Sequence, residues 1–122
     1  MKSDPFQRVV GKVISELPPA LSAALSTVQV VVREVPSKDE LKRAGLKPGD
    51  SLYGLFDGVA LPDKPGDGSQ ALPDRVILYR RPLEEDFPNP KRLEKEIRVT
   101  LIHELGHFFG MDEGQIEKRG FA

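Results

Sequence analysis

The sequence contains no cysteine, carries almost no net charge and has no long apolar run. Without cysteine there is no disulfide framework and no thiolate chemistry, so any metal must be held by His, Asp or Glu. The 18 basic and 19 acidic side chains leave a net charge of -1, which excludes the broad positive surface that attracts nucleic acid or anionic lipid. We therefore expect neither nucleic acid nor a membrane among the partners.

The longest apolar stretches fall well short of the roughly 18 residues of a membrane span, and the first residues lack the apolar run of a signal peptide. These features predict a cytoplasmic protein. The 39% of apolar and 30% of charged residues are typical of a soluble globular protein. A length of 122 residues predicts one domain over residues 1–122.

The first half of the chain carries clear helix-start signals. Asp4 before Pro5 offers a capping oxygen and then a proline at the first helical position, where its missing N–H costs nothing. Ser37 and Glu40 have the spacing of a capping box. Apolar periodicity and β-branched runs complete the assignment. The predicted elements of this half are a helix over residues 5–17, a helical turn over 21–25, a strand over 28–35 and a helix over 38–44.

The second half predicts two strands, a loop and a long helix. The strands cover residues 52–61 and 75–80, and a Gly-, Pro- and Asp-rich surface loop over 62–73 separates them. Asn89 and Pro90 again form a cap followed by proline, and the helix they start runs to about Phe109. At 1.5 Å per residue this helix is about 30 Å long, which makes it the spine of so small a domain.

The long helix carries the motif on which the functional prediction depends. At about 100° per residue, His103 and His107 lie side by side on a face next to the apolar one, with Glu104 at its edge. Residues four apart on a helix project together, so both imidazoles can reach one metal ion at about 2.0–2.1 Å. A lone histidine there would be typical of a structural residue, whereas two histidines around a glutamate indicate a metal site.

This spacing predicts a hydrolytic zinc site. Zinc lowers the pKa of its bound water from 15.7 to roughly 7 and polarises a carbonyl. Glu104 has the position of a general base that takes the proton of that water and passes it to the leaving amine. Two histidines with one carboxylate also suit iron.

The third metal ligand has to be acidic, because no further histidine and no cysteine are present. Gly110 can turn the chain back toward the helix, which places Glu113 where the extended pattern H-E-x-x-H-x-x-G-x-x-H has its last ligand. Asp112 is one residue away, and Glu117 comes within reach if a new helical turn starts near Asp112. We rank them Glu113, Asp112 and Glu117.

The segment HELGHFFGMDE, residues 103–113, resembles the signature of the small bacterial zincin-like metallopeptidases, the minimal zincins. The resemblance extends to residues 72–80, to residues 52–59 and to the opening helix with its Leu17-Pro18-Pro19. It implies an α+β fold in which a small, about three-stranded mixed sheet packs on the active-site helix and an N-terminal helix. It also implies zinc peptidase activity. The motif is similar to that of the metzincins as well, but the acidic third ligand departs from theirs.

Substrate handling is less strongly encoded. The expected partner is a peptide or a flexible protein, bound as an extra strand along a sheet edge formed by residues 52–61 or 75–80. Tyr53, Tyr79 and Arg80 are candidate donors to the oxyanion of the tetrahedral intermediate, although such residues are also ordinary in strands.

Two other functions remain open. One is a metal-dependent endoribonuclease, which would need a basic track for phosphates, and Arg80, Arg81, Lys91 and Arg92 are the residues that would form it. The other is a non-catalytic metal-binding or scaffolding module in which zinc is structural or absent, and a closed site with four ligands, for instance with both Asp112 and Glu113 bound, would support it. The preferred prediction is a zinc-dependent metallopeptidase with His103 and His107 as ligands and Glu104 as base.

Overall fold

The structure is a computed structural model that describes residues 4–66, 73–112 and 114–115. In these residues the helices are α1 (Pro5–Ser15), α2 (Pro19–Ala24), α3 (Lys38–Arg43), α4 (Arg80–Asp86) and α5 (Pro90–Phe108). The strands are β1 (Val28–Arg33), β2 (Gly54–Asp57) and β3 (Asp74–Tyr79), and a short 3-10 turn covers Leu61–Asp63.

The helix starts follow the predicted caps. The Asp4 carboxylate accepts from the Phe6 backbone N–H at 2.8 Å, and α1 begins at Pro5. The Ser37 hydroxyl and the Glu40 carboxylate bond each other's backbone N–H groups, as the capping box predicts. Such reciprocal bonds satisfy donors that the first turn of a helix otherwise leaves unpaired.

The sheet has the strand order β1-β3-β2, with β1 parallel and β2 antiparallel to β3. The predicted strand over 75–80 is therefore the central strand, and it ends at Tyr79 because Arg80 begins α4. Since both of its edges are paired, it offers no edge to a peptide, and that alternative is wrong. The prediction of a strand over 52–61 is too long, because β2 covers only Gly54–Asp57. Beyond Asp57, the Val59 N–H bonds the side-chain carboxylate of Asp74 at 3.0 Å instead of a backbone carbonyl of β3.

One face of the sheet packs against the helices. Val76 and Leu78 of β3 are fully buried in an apolar cluster with Ile97, Leu101 and Leu105 of α5. Apolar side chains of α1, α2, β1 and α4 join the same cluster. The α+β class and the small mixed sheet packed on a long helix and an N-terminal helix are thereby confirmed.

In the part of the chain that the structure describes, none of the helices combines the length and the apolar character needed to cross a bilayer.

Candidate metal centre

Helix α5 holds the predicted metal-binding residues on a fixed face. The Asn89 side chain caps its start by accepting from the N–H groups of Lys91 and Arg92 at 3.0 and 3.1 Å. Ile97 and Leu101 anchor the adjoining apolar stripe in the core. Because the buried stripe fixes the rotation of the helix, the neighbouring face is directed toward a cleft beside β2.

His103, Glu104 and His107 come together on that face. The two imidazole centroids lie 5.0 Å apart, and one potential ligand atom from each of the three residues lies within 4.8 Å of the others. All three side chains are half-buried. A tetrahedral zinc ion with nitrogens at about 2.0–2.1 Å separates its ligand atoms by roughly 3.4 Å. The imidazole nitrogens of His103 and His107 therefore fit zinc in type, and the Glu104 carboxylate lies within 4.8 Å of both.

The Glu104 carboxylate is held by the sheet. Its Oε1 accepts from the Phe56 backbone N–H of β2 at 2.8 Å. This N–H points away from β3, and β2 has no other strand beside it among the described residues. The bond therefore uses a backbone donor that the hydrogen bonds between the strands leave unpaired at the edge of the sheet. The bond fixes the side chain that the sequence predicts to be the general base.

The end of α5 is a Schellman motif. The Met111 N–H bonds the Gly106 carbonyl at 3.1 Å, and the Gly110 N–H bonds the His107 carbonyl at 2.9 Å. Gly110 has a φ of +82°, which glycine adopts without the penalty of a side chain. Helix α5 therefore ends at Phe108 with Gly110 just beyond it, within one residue of the predicted end at about Phe109.

The acidic candidates for the third ligand are only partly within the described residues. Asp112 is exposed, and its Oδ1 accepts from the Gln115 N–H at 2.8 Å while Gln115 Oε1 accepts from the Asp112 N–H at 2.9 Å. Asp112 thus caps a new helical turn, and it is not part of the group formed by the two histidines and Glu104. Glu113 and Glu117 lie outside the described residues.

The cleft has two lobes that meet at Gly54, His103 and Glu104. The first lobe has a volume of about 530 Å³ and is bordered across from α5 by Arg43, Leu46, Leu52 and Leu55. The second lobe, of about 250 Å³, is bordered by Tyr53, Glu96 and Thr100. A volume of several hundred Å³ is typical of a ligand site. Glu96 and Thr100 lie on the metal-facing side of α5.

The three candidate oxyanion donors lie in different places. Tyr53 borders the second lobe, but its hydroxyl donates to Asp86 at 2.6 Å, and this bond is the main reason that its pKa rises to about 12. Arg80 forms ion pairs with Glu34, Asp4 and Glu84 and borders neither lobe.

Tyr79 is fully buried and borders neither lobe. Strand alternation puts it on the sheet face opposite Val76 and Leu78. Its hydroxyl lies near Glu40, but none of the described residues forms a hydrogen bond with it. Burial is the main cause that raises its pKa, and the Glu40 charge adds to the rise. Of the three candidates, the fold brings only Tyr53 to the cleft.

Sequence reasoning did not find Arg43, Leu46 or the Phe56 N–H. The first two belong to α3 and the turn after it, which carry ordinary amphipathic helix signals. A backbone donor has no signature in the residue type. The strand prediction over 52–61 was the available signal, because an edge strand beside the histidine helix implies unpaired N–H groups.

The chain is similar to one curated protein and to one protein family. The nonsense-mediated mRNA decay factor SMG5 of Mus musculus is 29% identical over 100 residues, 73% of this chain and 10% of that protein. The chain thus spans about a tenth of the length of this curated relative, so the likeness carries no argument about the activity. The model of the zincin-like metallopeptidase family matches residues 25–121, which include the sheet, α5 and the His103-Glu104-His107 group. The chain therefore belongs to the zincin-like metallopeptidase family.

Proposed function

We propose that the protein is a zinc-dependent metallopeptidase that hydrolyses peptide bonds in short or flexible chains. The observation that carries the proposal is the convergence of His103, Glu104 and His107 within 4.8 Å in the cleft. The first two border both lobes, and His107 borders the first. Membership in the zincin-like metallopeptidase family supports it.

In this proposal each residue has a distinct role. His103 and His107 hold the ion, and Glu113 is the third ligand, with Asp112 and Glu117 ranked behind it. A bound zinc ion supplies a water of lowered pKa and polarises the scissile carbonyl. Glu104 accepts the water proton at Oε2 while Oε1 stays on the Phe56 N–H, and it then delivers that proton to the amine nitrogen as the C–N bond breaks.

Strand β2 is the proposed docking edge for the substrate. Residues two apart on a strand direct their backbone groups the same way, so the polar backbone groups of Gly54 point outward like the Phe56 N–H. A peptide added along this edge is held by main-chain hydrogen bonds and lies beside Glu104.

The described basic residues do not favour the endoribonuclease alternative. Arg80 pairs with Glu34 at 2.7 Å, and Arg92 pairs with Glu96 at 3.0 Å. A phosphate track needs cations that can neutralise phosphates and so displace the counterions bound to the nucleic acid, whereas these two are already paired with carboxylates.

The test combines zinc content with peptide turnover. The purified protein should hold about one zinc per chain, and His103→Ala or His107→Ala should remove it. Glu104→Gln should keep the zinc and lower kcat by roughly 10²–10⁴-fold, because it removes the base and leaves the ligands. Glu94→Gln on the same helix is the matched control and should keep both.

Full zinc retention in a histidine variant would reject the ligand assignment, and unchanged turnover in Glu104→Gln would reject the base. Alanine at Asp112, Glu113 and Glu117 in turn, with zinc affinity measured for each, identifies the third ligand. Two carboxylates that are both required would indicate a closed, structural site instead of an open, catalytic one.

A further inference from the structure

A single guanidinium group, that of Arg43, borders the first lobe among the described residues. Arg43 Nη2 donates to Asp57 Oδ1 at 2.7 Å, and the second oxygen of Asp57 accepts from Arg75. One carboxylate is therefore shared by two guanidinium groups, so Asp57 balances the charge of only one of the two. The side chain of Arg43 remains 44% exposed.

Two further carboxylates of α3, Asp39 and Glu40, lie near Arg43 and raise its pKa less than Asp57 does. Glu40 forms an ion pair with Arg33 at 3.4 Å. Asp39 is exposed to solvent, and it follows the side-chain bond to Asp57 among the causes that raise the pKa of Arg43. A guanidinium group has five N–H donors, and the bond to Asp57 uses one of them.

The wall beside Arg43 is apolar, since Leu46, Leu52 and Leu55 border the same lobe. A cation at the end of an apolar wall favours a ligand that combines an apolar side chain with an anion. The planar guanidinium fork matches the geometry of a carboxylate especially well.

We propose that Arg43 is a specificity-determining residue that binds a carboxylate of the peptide, while an adjacent apolar side chain packs on the leucines of the first lobe. The proposal rests on the proposed function, because it names the class of peptide that the same cleft accepts. The carboxylate is either the C-terminus of the peptide or an Asp or Glu side chain within it.

The test measures binding to zinc-loaded full-length Glu104→Gln protein, which should not cut its ligand. Four N-acetylated hexapeptides of alanine and leucine serve as probes: a free acid, its C-terminal amide, and two amides with an internal Glu or Gln. We expect the free acid, the Glu peptide or both to bind about two- to fivefold tighter than the matched neutral peptide, which is the range for a partly exposed charge pair. The two pairs distinguish a C-terminus from a side chain.

Adding Arg43→Gln should abolish the difference between the charged and the neutral member of each pair. The affinity for the neutral amide, measured in the same variant, reports separately any change in the shape of the cleft. Arg33→Gln is the matched control: it also removes a half-exposed arginine paired with a carboxylate, but it borders neither lobe, so the preference should remain. In the Glu104→Gln protein that keeps Arg43, the preference should shrink as the salt concentration rises, because salt screens exposed charges.

Equal affinities for acid and amide in both pairs, a preference that survives Arg43→Gln or does not respond to salt, or no measurable binding of any probe would overturn the proposal. Turnover of the same peptides by the protein with Glu104 restored is measured separately. Binding with the expected preference but without hydrolysis would reject the peptidase and retain the Arg43 assignment. Hydrolysis without the preference would do the reverse.

Discussion

Gly54 lies where β2 comes closest to the helix of the metal centre. A Cβ built on this residue would stand 2.6 Å from Thr100 Cγ2 and 3.1 Å from the Ile77 carbonyl oxygen. It would also stand 3.5 Å from Glu104 Cγ. The absence of a side chain at this position therefore allows the edge strand to approach the proposed base.

We expect Gly54→Ala to destabilise the protein by about 1–3 kcal/mol, the usual cost of inserting a methyl group into a packed contact. To make room for the added methyl group, β2 has to shift away from α5. Because this shift moves Phe56 away from Glu104, peptide turnover should also fall. Urea unfolding and kcat/KM measure the two effects.

Gly11→Ala is the control with the opposite sign. Gly11 lies inside α1, where an added Cβ would meet no atom within 4 Å, so alanine should stabilise the helix by roughly 0.5–1 kcal/mol. If Gly54→Ala were as stable as the parent protein, the close approach of β2 to α5 would not constrain this residue.

At the scale of the element, the C-terminus of α5 fixes the direction in which the chain leaves the metal centre. Gly110 combines a φ of +82° with a close approach to another segment, since a Cβ there would stand 2.6 Å from Pro62 Cγ. The 3-10 turn over Leu61–Asp63 thus packs against the point where α5 ends.

Gly110→Ala should cost about 2 kcal/mol or more, because left-handed strain of roughly 1–2 kcal/mol adds to the clash with Pro62. Zinc affinity should fall too, because the proposed third ligand follows only three residues later. Thermal unfolding and zinc titration measure these losses.

Gly45→Ala provides the comparison. Gly45 ends α3 with a φ of +76°, but an added Cβ would meet nothing within 4 Å, so its cost should be the strain alone and zinc affinity should not change. Equal losses in the two variants would show that the Pro62 contact is unimportant.

The helices show which elements the sequence could predict. α5 was predictable because its cap at Asn89, its apolar stripe and its closing Gly110 are all local signals. α4 was missed because it starts directly after β3: Tyr79 stands at its N-cap and makes no side-chain capping bond. β2 was predicted too long because its end depends on Asp74, a residue distant in sequence.

The site shows the same division. His103, Glu104 and His107 were predictable because one helical turn brings them together. Arg43, Asp57 and Arg75 come from three separate elements, and no periodicity within one segment connects them. The placement of Tyr79 also depended on the whole sheet, because its face and burial follow from pairing on both sides of β3.

At the scale of the whole molecule, charged groups join α3 to the face of the sheet opposite α5. Arg43 of α3 reaches Asp57 of β2, and Glu40 of α3 reaches Arg33 of β1. Tyr79 is buried on this face and lies against Glu40. The attachment of α3, and with it one wall of the first lobe, should therefore depend on these ion pairs.

Asp57 makes this dependence measurable. Hydrogen bonds from Arg75 and then Arg43 lower its pKa below the ordinary 3.8. A carboxyl group whose pKa is lower in the folded state stabilises the fold above its unfolded pKa, and this contribution disappears as the pH falls through the folded value.

We expect Asp57→Asn to be less stable than the parent protein at pH 7, by on the order of 1 kcal/mol because its partners are a third to nearly half exposed. The difference should begin to shrink as the pH falls below about 4 and should vanish once Asp57 of the parent protein is protonated. Urea unfolding at a series of pH values, followed by tyrosine fluorescence, measures it, with the exposed Asp63→Asn as a control that should lose little stability at pH 7. A difference that stays constant down to the lowest pH would mean that Asp57 acts through packing and not through its charge, and α3 would then owe its position to its apolar contacts.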